Sequence, residues 1–164
     1  MKYESVAGVL FSADRTEVLL IQRRDVPVWV LPGGGIEEET GEAAVMREFE
    51  EETRVKVEVV RLVGRYAPLN RLAKKTLFYE VRAVSGEPGL SAETRGVRFW
   101  PLEGLPEMPP PYADWIADAR ALSDRPVDRM IHSVTYGAFV RLLAKHPLLV
   151  LRFLLARAGI PLNS

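Results

Sequence analysis

The chain contains no cysteine, which removes disulfide frameworks, thiolate zinc centres and any cysteine nucleophile. Histidine is scarce: His132 and His146, fourteen residues apart toward the C-terminus, make a poor imidazole site and read as polar members of the tail. Any catalytic metal would therefore rest on carboxylate and carbonyl oxygens, a donor set suited to a hard ion such as Mg²⁺ or Mn²⁺. Net charge is lacking too. With 22 basic and 22 acidic residues, no global positive field draws the protein to a nucleic acid polymer. No apolar run reaches the ~18 residues needed to span a bilayer, so no transmembrane segment is expected. Met1-Lys2-Tyr3-Glu4 runs into a strand-like pattern in place of a signal peptide, and the expected location is cytoplasmic.

What is present suits a folded domain: 164 residues, 48% apolar and 27% charged. Residues 3–13 and 17–24 are β-branched and apolar around Ser12-Ala13-Asp14-Arg15, a pattern that predicts a hairpin. Val28-Trp29-Val30-Leu31 is a short buried run stopped by Pro32-Gly33-Gly34-Gly35, a loop whose missing side chains let backbone approach a ligand. Residues 40–53 predict the strongest helix, with Ala43, Ala44, Met46 and Phe49 as its inward stripe. Strands are expected after Val55, around Leu77 to Ala83 and at Val97 to Trp100. A proline linker (Pro106 to Pro111) and a helix from Tyr112 to Leu122 should follow. One strong helix embedded among strands points to an α/β fold with a mixed sheet.

Charge is uneven along the chain. From Glu37 to Glu58 there are nine acids against three bases, and from Arg125 to Ser164 six bases against one acid. Within the acidic stretch Glu48, Glu51 and Glu52 fall at i, i+3 and i+4, three carboxylates on one helical face. They repel unless something positive sits among them, either a divalent cation or salt bridges from Arg47 and other bases. An acidic helix face is usually just solvated. Here the glycine loop directly before it could offer carbonyls to a metal and N–H groups to a phosphate.

These residues resemble the Nudix hydrolases, whose box is G-x5-E-x7-R-E-U-x-E-E-x-G-U with U a bulky aliphatic residue. Gly33, Glu39, Arg47, Glu48, Glu51, Glu52 and Val55 match in register, and Phe49 occupies the first U position. The chain departs from the pattern twice: Arg54 replaces the late glycine, and the common loop form GGxxExGE has lost its glycine between Glu38 and Glu39. The resemblance extends more loosely from Tyr3 to about Pro106. It implies a Nudix-type α/β/α sandwich over residues 1–124, with 125–164 as a helical C-terminal extension.

The resemblance further implies that Glu48, Glu51 and Glu52 hold Mg²⁺ (or Mn²⁺), with the Gly33 carbonyl as a further ligand. Gly34 and Gly35 would face substrate phosphate, Arg47 would orient a glutamate, and Glu39 would be structural near the helix start. The general base would be a box glutamate or an acid on a later loop, for which Glu93 is the candidate. Arg23 and Arg24 end a strand that should reach the same cleft and are candidates for substrate contact. Trp29, Tyr66, Phe78, Tyr79 and Trp100 are candidates for stacking on a base, although isolated aromatics are more often core.

The implied activity is divalent-metal-dependent hydrolysis of a phosphoric anhydride in a nucleoside diphosphate derivative or nucleoside triphosphate. The rival is a non-catalytic nucleotide-binding regulator that kept the fold, motivated by Arg54 and the shortened loop. An isomerase of the same fold looks for a catalytic cysteine that this chain lacks.

The tail from His132 to Ile160 is strongly apolar, with Pro147 expected to split it into two helices and Arg141, Lys145 and Arg152 on nearly one face. Its apolar face calls for burial against the domain or in a homodimer, in preference to an anionic membrane surface.

Overall fold

In a computed structural model, residues 2–70 and 73–135 are described, with isolated helical positions at Gly137, Pro147, Leu148, Leu151, Leu154 and Leu155. The expected two-helix tail and its packing otherwise lie outside the described residues. The elements are β1 (Ser5–Leu10), β2 (Glu17–Arg23), β3 (Trp29–Val30), α1 (Gly41–Thr53), β4 (Lys56–Pro68), β5 (Thr76–Ser85), β6 (Thr94–Pro101), α2 (Tyr112–Arg120) and β7 (Val127–Ile131). One sheet has the order β1-β5-β4-β7 and a second has β3-β2-β6. The first is mixed, since β1 and β5 are parallel, β5 and β4 antiparallel, and β4 and β7 parallel.

Alternate side chains of the central strands feed two separate cores. From β1, Ala7 and Val9 enter the cluster that holds Trp115, Ile116 and Ala119 of α2, while Val6 and Leu10 enter the cluster that holds Ala44, Val45 and Phe49 of α1. Val18 and Leu20 of β2 go to the α2 side and Leu19 to the α1 side. Strands covered on both faces need apolar residues at successive positions, which is why VAGVLF and VLLI read as continuous hydrophobic runs. The result is the α/β/α sandwich.

The same double burial explains why the expected hairpin does not form. β1 and β2 touch through one bridge, Phe11 to Val18, and then part, β1 joining β5 and β2 joining β6. Without alternation between polar and apolar positions, nothing in the two runs specified each other as partners. The turn between them is built on Asp14, whose carboxylate accepts hydrogen bonds from Ser12 Oγ, Thr16 N and Thr16 Oγ1.

α1 begins at an N-cap, Thr40, whose side chain accepts from Ala43 N at 3.2 Å, and ends at Arg54, as the sequence predicts to within a residue. Its inward face differs from expectation. Met46 is exposed, and the buried positions are Ala44, Val45, Glu48, Phe49, Glu52 and Thr53. Two box carboxylates thus share the buried face with the core residues.

A second correction concerns residues 127–131, read from sequence as the start of a helical extension. They form β7, which pairs with Gly64–Pro68 of β4 and buries Ile131 in the α2-side core. The polar Asp128 and Arg129 of an exposed edge hid a strand with few inward residues. No helix among the described residues is long and apolar enough to cross a membrane.

Candidate active site

The glycine loop runs beside β1: the N–H of Val6 donates to Gly34 O at 2.9 Å and that of Gly8 to Pro32 O at 2.9 Å. This lays Gly33 and Gly34 against the buried face of α1. The Gly33 N–H donates to Glu52 Oε2 at 2.8 Å. A Cβ on Gly33 would come within 2.3 Å of the Val6 carbonyl oxygen, and one on Gly34 within 2.3 Å of Glu48 Oε1. Gly33 therefore needs glycine for its close approach to the β1 backbone, whereas a side chain at Gly34 would push the Glu48 carboxylate aside.

Glu52 is 4% exposed, and the only described hydrogen bond to its carboxylate is the one from Gly33. Burial pushes its carboxyl up to about 8, and the charges of Glu48 and Glu93 push the same way, while the Gly33 hydrogen bond and Arg23 oppose them. Burial also raises Glu48, against the hydrogen bond and charge of Arg47 and together with Glu51 and Glu93. The two carboxyls thus share one poorly solvated place that disfavours the charged form of each.

Arg47 is the organising cation. Its Nε and Nη2 donate to Glu39 Oε1 at 3.0 and 2.7 Å, and its Nη1 donates to Glu48 Oε1 at 2.9 Å and Glu51 Oε2 at 3.1 Å. Nη2 also donates to Gly35 O at 3.1 Å, tying the glycine loop to the helix. The hydrogen bond with Glu39, ahead of those with Glu48, holds the guanidinium firmly protonated. Glu39 thus anchors Arg47, and Arg47 orients Glu48. Glu51 stands at the rim with a side chain 54% exposed.

Arg23 is held by Asp25 through Nε at 2.9 Å and Nη2 at 2.5 Å, leaving Nη1 without a described partner. It lies within electrostatic reach of Glu52 and of Tyr112. Arg24 turns elsewhere, with Nη2 donating to Ser91 O and Thr94 O and its backbone N–H donating to Glu93 O at 2.9 Å. It grips the loop that bears Glu93. Glu93 itself is exposed, close enough for its charge to raise both Glu48 and Glu52.

Of the aromatic candidates, Tyr66, Phe78 and Tyr79 are core residues, at 2%, 0% and 5% exposure. Trp29 and Trp100 are half-buried and meet edge to face at 5.2 Å. Sequence reasoning passed over Asp25 and Tyr112. The run Arg23-Arg24-Asp25 signalled an i, i+2 ion pair at a strand end, whereas Tyr112 is brought near by the path of the chain alone.

The donor set can be tested against a divalent ion. Among the described residues no three His, Cys, Asp or Glu side chains stand ready-drawn at metal-ligand spacing, and Arg47 Nη1 sits between Glu48 and Glu51. Glu48 Oε2, Glu52 Oε1 and the Gly33 carbonyl have no described donor. Mg²⁺ characteristically takes one or two protein carboxylates and completes its shell with waters and substrate phosphate oxygens. Two buried carboxylates, each with an open oxygen beside a free carbonyl, fit that habit.

A family model described as the NUDIX domain matches residues 2–120. A MutT-like protein of Streptomyces ambofaciens is 38% identical over 117 residues, covering 70% of this chain and 75% of that protein. A putative 8-oxo-dGTP diphosphatase of Bacillus subtilis (strain 168) is 30% identical over 100 residues, 59% of this chain and 66% of that protein. The crystal structure of an ADP-ribose pyrophosphatase from Streptococcus suis superposes with a TM-score of 0.63 at 24% identity, over 79% of this chain and 99% of that one. The sandwich is thus shared with solved Nudix folds, and the chain belongs to the Nudix family. Within that family it is a pyrophosphohydrolase acting on nucleotide-type substrates.

Proposed function

We propose that the protein uses Mg²⁺ or Mn²⁺ to hydrolyse a phosphoric anhydride bond in a nucleoside diphosphate derivative or nucleoside triphosphate. The products are a nucleoside monophosphate and a phosphate-bearing leaving group or pyrophosphate. The observation that carries this reading is the pair of buried carboxyls, Glu48 and Glu52, set against Gly33 and Gly34 where burial disfavours their charged forms.

Glu48, Glu52 and the Gly33 carbonyl would hold the ion, with Glu51 joining from the rim when it leaves Arg47. A divalent cation there supplies positive charge to the phosphate oxygens and lowers the pKa of the attacking water. Arg47 keeps the Glu48 carboxylate aimed while Glu39 keeps Arg47 in place. Arg23, fixed by Asp25, turns its remaining donor to a phosphate oxygen, and the N–H groups of Gly34 and Gly35 line the same approach. Glu93 accepts the proton of the water as its oxygen bonds to phosphorus and the bridging P–O bond breaks toward the leaving group. Arg24 serves this step indirectly, by holding the loop of Glu93.

The regulator reading drew on Arg54 and the shortened loop. Arg54 adopts the left-handed C-cap that glycine would supply (φ 64°, ψ 10°), and Glu39 reaches Arg47 despite the lost residue, so neither departure disturbs the carboxylates. The test is a panel of ADP-ribose, a sugar nucleotide, a dinucleoside polyphosphate and 8-oxo-dGTP, each with and without Mg²⁺, read by chromatography. Release of nucleoside monophosphate that stops on chelation supports the reading. Tight binding of a panel member with no product under any metal would replace it by the regulator.

A further inference from the structure

We infer that Arg54, which stands where the Nudix box has glycine, is a positioning residue that clamps the Gly86–Thr94 loop, and with it Glu93, onto the end of α1. Its effect on turnover rests on the assignment of Glu93 as base; the clamp itself does not.

Arg54 occupies the left-handed region, with its N–H donating to Glu50 O at 2.9 Å, in a conformation that glycine adopts freely and an arginine does not. Backbone strain at a helix end persists where the surroundings compensate for it. Here the surroundings are two glycines of one loop. Gly86, itself at φ 88°, sits so close that a Cβ would come within 2.5 Å of the Arg54 carbonyl oxygen. At Gly89 a Cβ would stand 3.2 Å from Arg54 Cδ and 3.9 Å from Nε, so the arginine stem lies across the loop where a side chain is missing. The loop is pinned beneath it by the Gly89 N–H, which donates to Thr53 O at 2.9 Å.

Further along, the fully buried Thr94 donates through Oγ1 to Glu52 O at 3.1 Å and accepts from Ser91 N at 3.0 Å. Arg24 closes the far side through Ser91 O and Thr94 O. Glu93 lies one residue before Thr94 in this doubly anchored segment, exposed at its tip. The loop's anchors on α1 are carbonyls of the same turn that presents Glu52. A glycine at position 54 would keep the helix cap and lose the stem, leaving the Gly86–Gly89 half of the loop held by one hydrogen bond.

The test compares Arg54→Gly, Arg54→Asn and Arg54→Lys in the full chain. Asparagine tolerates the left-handed conformation but carries no stem, and lysine keeps a Cδ without the guanidinium. Amide hydrogen exchange of the metal-free proteins is measured by NMR, and kcat and KM with Mg²⁺ on ADP-ribose and 8-oxo-dGTP in parallel. The expected result is a Gly89 amide exchanging at least about tenfold faster in the glycine and asparagine variants, with protection restored by lysine. kcat should fall roughly ten- to hundredfold in the first two while KM holds, as for a displaced catalytic group.

Gly89 protection that survives in Arg54→Gly overturns the clamp. A raised KM at unchanged kcat overturns the effect on turnover through Glu93, because that pattern marks a substrate contact, and leaves the clamp to be decided by the exchange result. Glu93→Gln separates the two layers: full activity there removes the base assignment, while faster Gly89 exchange in Arg54→Gly still carries the clamp.

Discussion

Replacing Glu52 by glutamine should make the metal-free protein more stable and the enzyme nearly inactive, a combination that few other roles for a buried carboxylate would produce. The folded-state carboxyl lies at about 8 against an ordinary 4.5, because burial disfavours its charged form. A folded pKa raised above the unfolded one contributes stability that is complete below 4.5 and is lost as pH climbs through about 8. At ~1.36 kcal/mol per pH unit that gap costs the metal-free native state on the order of 5 kcal/mol by pH 9. Glutamine removes the cost, and its amide oxygen still accepts from the Gly33 N–H. In EDTA, Glu52→Gln should therefore show a shallower fall of Tm with pH than the parent, the remainder coming from Glu48. The parent's Tm should fall between pH 5 and 9, leaving the variant ahead at pH 9 by roughly 10–20 °C at ~2–4 °C per kcal/mol. With Mg²⁺ and substrate, kcat should drop at least ~100-fold through lost metal charge. Circular dichroism melts across pH and steady-state kinetics measure both. A variant with unchanged kcat at saturating Mg²⁺, or a parent whose metal-free Tm is flat with pH, would refute the reasoning.

Mg²⁺ itself should raise the parent's Tm more at pH 8 than at pH 5, since protonated Glu52 competes with the ion; equal shifts at both would deny Glu52 a ligand role. Glu93→Gln should lower kcat by ~10²–10⁴ with the Mg²⁺ concentration for half-activation unchanged, and a full rate across the pH range would return the base to the box. Gly34→Ala should abolish most activity while the fold survives, because its Cβ would displace the Glu48 carboxylate; retained kcat would mean that this close contact does not matter. Ile131→Ala should cost ~2–4 kcal/mol by denaturant melts, as expected for a 3% exposed core side chain, and no loss would remove β7 from the folded domain.

The site was more legible than the topology. The box residues are close in sequence, so the 3.6-residue period of one helix gave the shared face of Glu48, Glu51 and Glu52 beside the glycine loop, while the parts expected of Arg47 and Gly33 came from the Nudix resemblance. What spacing could not convey is which way the helix is turned. Glu48 and Glu52 face inward beside Phe49 because the glycine loop leaves room there, while Met46, the apolar residue expected inside, faces out. Strand partnership is a long-range choice. Val6 to Leu10 pair with Val6↔Leu77 to Leu10↔Val81 in register across the chain, and two doubly buried runs separated by a turn looked like a hairpin for want of any alternation. β7 escaped because an edge strand needs little apolar patterning. Arg24 escaped its true use because a basic residue at a strand end reads the same whether it meets a phosphate or, as here, the carbonyls of a loop.

The central claim, that a divalent ion seated on the buried carboxylates of α1 drives anhydride hydrolysis, is tested most directly by turnover in ¹⁸O-labelled water as Mg²⁺ is titrated. Across the nucleotide panel, nucleoside monophosphate should appear only with the metal, one product phosphate should carry the label, and Glu52→Gln should need far more Mg²⁺ for any residual rate. Metal-independent hydrolysis, or hydrolysis with the same Mg²⁺ requirement in parent and Glu52→Gln, would contradict it.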